Sequence, residues 1–123
     1  MTTALIIEDD DNNMLLTSML LAKAGYRVQE ARSGEEGVAL ALEVNPGVVI
    51  LDIKLPDMDG YEVLRRIRQS PADGTLPIIA MTSYAMSGDR ERLLAAGCDG
   101  YLEKPIDPAA ALAYIQEVVG AKT

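Results

Sequence analysis

The most restrictive feature of the sequence is the alternation of short apolar runs with longer segments of helical spacing. Three runs, at residues 4–7, 48–51 and 78–81, are entirely apolar. Continuous apolar runs of this length suit strands that are buried on both faces of a parallel sheet. Residues 26–30 alternate in polarity and residues 100–103 are short and mixed, so these two segments predict edge strands.

Five helices are predicted between and after these strands. The first carries apolar residues at helical offsets, including Leu16, Met19 and Leu20, and the others span residues 34–43, 61–69, 87–96 and the region after 107. Gly25 and Gly97 are expected to end helices in a left-handed conformation, and the Asp-Pro pair at 107–108 is expected to begin the last one.

Strict alternation of five strands and five helices implies an open, doubly wound, flavodoxin-like α/β fold. Because the second and fifth strands are the edges, the predicted strand order is 2-1-3-4-5. Ligands of such sheets bind outside the carboxyl ends of the strands, near the point where the strand order reverses. With 123 residues, one domain over residues 1–123 is expected.

Composition excludes several kinds of chemistry. The chain has no histidine, which removes Ser-His-Asp and Cys-His catalysis and His-ligated zinc. Its one cysteine, Cys98, cannot form an internal disulfide, and we expect it to be a small buried apolar side chain. The net charge of −8 opposes binding to nucleic acid or to an anionic membrane. With no signal or anchor segment in view, a cytoplasmic location is expected.

Acidic residues follow two strands that should be neighbours. The first strand runs into Glu8, Asp9, Asp10 and Asp11, and the third ends in Asp52. Two such charges about 4 Å apart repel by roughly 4 kcal/mol at an effective dielectric near 20, so a cation should offset them. Oxygen ligands without His or Cys favour Mg²⁺. Capping of the first helix is the alternative for this run, and we favour it for the last two acids of the run only.

The consecutive pair Glu8 and Asp9 poses a geometrical condition. On a regular strand their side chains would point to opposite faces, so they can converge only if the strand has already ended.

Asp52 has two possible roles beside a divalent cation. It can be a ligand only, or it can be a nucleophile that accepts a phosphoryl group.

The fourth and fifth strands also end in polar groups, Thr82 and Lys104. A hydroxyl and an ammonium beside acids and a cation can bind the oxygens of a transferring phosphoryl group. Each has a simpler explanation, as a strand-end threonine or a lysine in a surface ion pair. Compatible groups at four strand ends favour a shared site instead.

Four segments, residues 5–10 (LIIEDD), 49–60 (VILDIKLPDMDG), 79–83 (IAMTS) and 100–106 (GYLEKPI), together carry a family resemblance. In this order and spacing, across essentially the whole chain, the sequence resembles the receiver (CheY-like) domain of bacterial two-component response regulators. The resemblance implies a stand-alone, single-domain response regulator.

The resemblance also implies a metal site. It makes Asp52 the phosphoacceptor and places Mg²⁺, or Mn²⁺ as a substitute, on Glu8, Asp9, Asp52 and the backbone carbonyl of Lys54. Many family members have Asp at the first position of the acidic pair. With Glu8 there, this chain is expected to reach the metal through a water molecule.

Further residues take roles by the same resemblance. Thr82 and Lys104 would contact the phosphoryl oxygens, and the peptide bond before Pro105 would be cis. Tyr101 would turn inward as Thr82 moves, and so act as a switch. Two other side chains, Lys54 and Tyr84, occupy family positions that influence water access, and we expect them to lengthen the phosphoryl lifetime.

The resemblance also implies partners, and because the chain has no histidine, the phosphohistidine would have to lie on another protein. A sensor histidine kinase or a histidine phosphotransfer protein would supply the phosphohistidine, and the domain would catalyse only its own phosphorylation and dephosphorylation. A downstream protein effector would read the surface of helix 4, strand 5 and helix 5. The protein is expected to be a monomer or a phosphorylation-dependent dimer.

Two other function classes fit the sequence less well. A haloacid-dehalogenase phosphatase normally needs Asp-x-Asp after its first strand, but Lys54 occupies the second acidic position after Asp52. A flavodoxin-like carrier is opposed by the acids after the first strand, which would repel a flavin phosphate.

Overall fold

The computed structural model describes residues 2–69, 76–82 and 89–122. Within these ranges one parallel sheet is formed by five strands, in the order 2-1-3-4-5. The predicted doubly wound architecture is confirmed. The strands are β1 (Thr3–Ile7), β2 (Arg27–Ala31), β3 (Val48–Asp52), β4 (Ile78–Thr82) and β5 (Gly100–Glu103).

The helices fall close to their predicted positions: α1 (Asp11–Lys23), α2 (Gly34–Val44), α3 (Gly60–Arg68), α4 (Asp89–Ala95) and α5 (Pro108–Lys122). Helix α3 begins one residue earlier than predicted, because the Asp59 side chain accepts a hydrogen bond from the Glu62 N–H and so acts as its N-cap. The first residues predicted for α4, beginning at position 87, lie outside the described residues. Among the described helices, none is both long and apolar enough to cross a membrane.

The three central strands are buried on both faces, as their apolar runs predicted. Their side chains alternate between two cores. One core lies under α2, α3 and α4 and includes Leu5, Leu51 and Leu64. The other lies under α1 and α5 and includes Ile6, Ile50 and Ile115. Full burial of one such side chain contributes about 1.5–3 kcal/mol, so the two layers hold the sheet and its strand ends in place.

Helix ends follow the predicted chemistry. Gly25 and Gly97 have φ values of 98° and 117°, in the left-handed region that favours glycine. Asp107 accepts a hydrogen bond from the Ala110 N–H at the start of α5. In α1 the buried positions are Met14, Thr17, Leu20 and Leu21, whereas Leu16 and Met19 from the predicted apolar spacing are 37% and 63% exposed.

Candidate functional site

Three carboxylates meet at the carboxyl edge of the sheet. Strand β1 ends at Ile7, which pairs with Leu51 of β3, so the residues that follow these two positions are neighbours. Glu8 and Asp9 lie beyond the end of the strand, and their side chains converge. Carboxylate oxygens of Glu8, Asp9 and Asp52 lie within 4.8 Å of one another. The geometrical condition set by the sequence is therefore met.

Glu8 is the most enclosed of the three acids, with no solvent exposure. Its Oε1 accepts a hydrogen bond of 2.7 Å from the Nζ of Lys104, and its Oε2 accepts one of 3.3 Å from the Asp10 N–H. Burial raises the pKa of Glu8, the neighbouring Asp52 raises it further, and Lys104 opposes the shift. A buried acid in this setting favours a cation beside it.

Lys104 joins the acids from the end of β5. Its N–H donates to the carbonyl oxygen of Thr82 at 2.7 Å, and its Nζ lies 3.4 Å from Oδ1 of Asp52. Burial alone would lower the pKa of this ammonium, but its pairing with Glu8 and Asp52 outweighs that effect and the pKa is raised. The Lys104–Pro105 peptide bond is cis, in agreement with the sequence expectation.

Asp52 is the last residue of β3 and is 5% exposed. Its Oδ1 accepts a hydrogen bond of 3.3 Å from the Lys54 N–H. The loop that follows is closed on itself, because Lys54 forms an antiparallel bridge with Asp59 and the Gly60 N–H donates to the Ile53 carbonyl oxygen at 2.7 Å. The backbone of Lys54 is thus kept beside Asp52, and its carbonyl remains a predicted metal ligand.

The two predicted switch residues lie on neighbouring strands. Thr82 ends β4, is 7% exposed, and is in register with Glu103 of β5. Tyr101 is half-buried and packs against the core under α3, and its N–H donates to the hydroxyl of Tyr114 at 3.0 Å. Their movement stays a prediction. Ser83 and Tyr84 lie outside the described residues.

The other two acids after β1 have structural roles. Asp10 is the N-cap of α1 and accepts a hydrogen bond of 2.8 Å from the Asn13 N–H. Asp11 lies in the first turn of that helix and pairs with Arg32. The interpretation of this pair as helix-end chemistry is confirmed for Asp10 by its bond and agrees with the position of Asp11.

The donor set fits a magnesium ion. Glu8, Asp9 and Asp52 offer hard carboxylate oxygens, and Lys104 offsets one of their three negative charges. Mg²⁺ takes a few protein oxygens and keeps several waters, which suits one exposed and two buried carboxylates. The residues present are therefore able to hold this ion.

One further residue near the site has a contact that the sequence does not indicate. The carboxylate of Asp57 accepts hydrogen bonds from the N–H groups of Gly34 and Glu35 at the start of α2. These partners lie 23 and 22 positions away in the sequence, so no local pattern indicates the contact.

Comparison with known proteins places this geometry in a family. The model of the response regulator receiver domain matches residues 4–116. The polar-differentiation response regulator DivK of Brucella ovis is 36% identical over 118 residues, which cover 96% of each chain.

Solved structures also resemble this chain. A CheY-like receiver domain protein from Methanospirillum hungatei JF-1 superposes with a TM-score of 0.90 at 31% identity, over 99% of this chain and 96% of that one. The receiver domain of the sensor histidine kinase PA1611 from Pseudomonas aeruginosa PAO1 has a TM-score of 0.88 at 34% identity, over 97% and 98% of the two chains. That structure has a magnesium ion coordinated in its active site cleft.

The fold and the acidic edge are those of a CheY-like signalling domain. The chain belongs to the response regulator receiver family. It is a receiver domain of two-component signalling, whose family role is to accept a phosphoryl group, and it is not a classical enzyme. Receiver domains bind Mg²⁺ at an acidic pocket and work with histidine kinases or phosphotransfer proteins. Neither the phosphatase nor the flavodoxin-like alternative is favoured.

Proposed function

We propose that Asp52 accepts a phosphoryl group from a phosphohistidine on a partner protein. The observation that supports this most directly is the cluster of Glu8, Asp9 and Asp52, with the ammonium of Lys104 within 2.7 Å of Glu8 and 3.4 Å of Asp52. A carboxylate oxygen of Asp52 forms the new O–P bond as the P–N bond of the donor breaks. The imidazole leaves with the electron pair of that bond.

Glu8, Asp9, Asp52 and the backbone carbonyl of Lys54 would hold Mg²⁺, and Mn²⁺ would serve as a substitute. When bound, this ion offsets negative charge on the phosphoryl oxygens. Two of its carboxylate ligands are almost fully buried, so their positions are set by the sheet rather than by solvent. Such preorganised groups need little rearrangement when the phosphoryl group arrives.

Lys104 and Thr82 contact the phosphoryl oxygens in this proposal. Phosphorylation replaces one carboxylate charge with about −1.5 to −2 charges and three acceptor oxygens, which draws both side chains towards Asp52. The Lys104 N–H is already bonded to the Thr82 carbonyl oxygen, so the two residues move as neighbours. Tyr101 then turns inward and changes the surface of α4, β5 and α5.

The domain catalyses its own phosphorylation and dephosphorylation, and residues 1–123 act as one receiver domain. A sensor histidine kinase or a histidine phosphotransfer protein donates the phosphoryl group, and a protein effector reads the changed surface. We place the protein in the cytoplasm, as a monomer or a dimer formed on phosphorylation.

The test is incubation with Mg²⁺ and acetyl phosphate, followed by intact-mass measurement and fragmentation to locate the added group. The wild type is expected to gain one phosphoryl group at Asp52, and Mn²⁺ is expected to replace Mg²⁺ in a parallel sample. Asp52→Asn should gain none. Asp11→Asn is the matched control, because it removes an exposed acid of α1 outside the cluster and should be phosphorylated normally.

Two results would overturn the proposal. One is an equal mass gain in Asp52→Asn and in the wild type, which would place the phosphoryl group elsewhere. The other is continuous release of phosphate from many phosphomonoesters, which would indicate a phosphatase.

A further inference from the structure

We propose that Asp57 is a positioning residue for metal binding, because it fastens the loop between β3 and α3 to the start of α2. This inference rests on the proposed function, since the loop carries Lys54, whose backbone carbonyl is a proposed metal ligand. Asp57 itself does not belong to the carboxylate cluster of the site.

Both carboxylate oxygens of Asp57 are used in the attachment. Oδ1 accepts a hydrogen bond of 2.8 Å from the Gly34 N–H, and Oδ2 accepts one of 2.9 Å from the Glu35 N–H. These bonds lower the pKa of Asp57, so its ionised form is the one held at the helix end. A two-point attachment restrains the rotation of the loop as well as its distance from α2.

Side-chain packing supports the same attachment. A Cβ atom built on Gly34 would lie 2.4 Å from Cγ and 2.9 Å from Sδ of Met58, the residue after Asp57. The loop therefore lies directly against the first turn of α2, where any larger residue in place of Gly34 would have to displace the Met58 side chain.

Helix α2 also has a local N-cap, which accepts a hydrogen bond from a different N–H group than Asp57 does. Ser33 precedes the helix, and its side chain accepts a hydrogen bond of 3.2 Å from the Glu36 N–H. Asp57 reaches the same helix end from a separate loop, at a distance of 22 to 23 positions in the sequence. Its two bonds therefore cap the first turn of α2 and, unlike the bond of Ser33, also hold the loop against the helix.

The hydrogen bonds within the loop connect Asp57 to the metal site. Lys54 and Asp59 form an antiparallel bridge on either side of Asp57, and the Lys54 N–H donates to Oδ1 of Asp52. A shift at Asp57 is therefore expected to change where the Lys54 carbonyl lies. Groups that orient metal ligands commonly affect metal affinity by tenfold or more.

The test is calorimetric titration of Mg²⁺ into the wild type, Asp57→Ala and Ser33→Ala. Asp57→Ala is expected to bind Mg²⁺ about tenfold more weakly than the wild type. Ser33→Ala is the matched control, because it removes a cap from the same helix end and leaves the loop attached. Its Mg²⁺ affinity should equal that of the wild type.

A second readout separates positioning from general damage. The rate of phosphorylation by acetyl phosphate is measured as a function of Mg²⁺ concentration. For Asp57→Ala, the Mg²⁺ concentration that gives half the maximal rate should rise by a larger factor than the rate at saturating Mg²⁺ falls. Asp57→Asn keeps one acceptor oxygen, so its Mg²⁺ affinity should fall between those of Asp57→Ala and the wild type. If Asp57→Ala does not fold, the comparison of Asp57→Asn with the wild type is the deciding one.

Unchanged Mg²⁺ affinity in a folded Asp57 variant would overturn this inference, and so would an equal loss in Ser33→Ala. Either result leaves the proposed function intact. Absence of Mg²⁺ binding by the wild type, in contrast, would contradict the proposed function itself.

Discussion

At the scale of the residue, the site depends on a balance of buried charge. Glu8 is fully buried, and Lys104 supplies the ammonium that it needs at 2.7 Å. A buried ion pair gives little net stability, but loss of one partner leaves an uncompensated charge. Removal of either Glu8 or Lys104 would therefore leave the charge of the other without its partner. Asp52 lies beside both, at the position where added negative charge would meet the same ammonium.

Cys98 illustrates how strongly burial controls chemistry in this protein. The residue is 6% exposed, and burial, with a smaller contribution from Asp99, raises the pKa of its thiol to about 12. The reactive thiolate is therefore scarce at pH 8 in the folded protein. We expect iodoacetamide to alkylate the native protein roughly a thousandfold more slowly than the urea-unfolded protein, as followed by intact mass. Native and unfolded rates within tenfold of each other would contradict this.

At the scale of the element, α3 is attached to the turn between α4 and β5 at its own carboxyl end. The guanidinium of Arg68 donates to the carbonyl oxygen of Gly97 and to Oδ2 of Asp99, and the same Asp99 oxygen accepts from the Ile78 N–H. The side chains of Arg68 and Asp99 together thus join a helix, a turn and the first residue of β4. This attachment lies at the start of β4, whereas the carboxylate cluster lies at the strand ends.

We expect Arg68→Ala to destabilise the protein by about 2 kcal/mol, because it removes charge-assisted hydrogen bonds to half-buried groups. Urea denaturation measures the change. Arg66→Ala is the control, since Arg66 is exposed and shares Glu62 with Arg65. The control should cost less than about 0.5 kcal/mol. Equal losses in both variants would show that the attachment to Asp99 contributes no more than a surface pair.

At the scale of the whole molecule, the acidity of the chain is concentrated in part at one edge of the sheet. The net charge is −8, and three of the carboxylates share the cluster at the strand ends. The fold brings them together because parallel strands end at the same edge. A divalent cation is consequently expected to stabilise the folded state, in which alone the cluster is assembled.

Mg²⁺ at one hundred times its dissociation constant should stabilise the wild type by about 2.7 kcal/mol. Asp52→Asn removes a carboxylate from the cluster and should lose most of that gain, whereas Asp11→Asn should keep it. Thermal denaturation with Mg²⁺ and with excess EDTA measures both. A gain in Asp52→Asn as large as in the wild type would argue against the metal site.

Sequence alone determined much of the architecture, because its signals are local. Apolar runs of four residues marked the central strands, mixed polarity marked the edges, and a capping Asp before Pro108 marked the start of α5. Glu8, Asp52 and Lys104 could be predicted as site residues because each lies at or directly after the end of a strand that the local sequence indicates. These strand and helix-end signals depend on residues that are close together in the sequence, so they can be recognised without the tertiary structure.

Only the tertiary structure decided which distant groups touch. The Lys104 ammonium contacts Glu8 across 96 positions, and Asp57 reaches the start of α2 across 22 to 23. Leu16 and Met19 have helical spacing, but packing against the sheet selected Met14 and Leu21 for the buried face of α1. Such choices depend on how whole layers pack, because a contact between remote residues exists only after the elements that carry them have been placed.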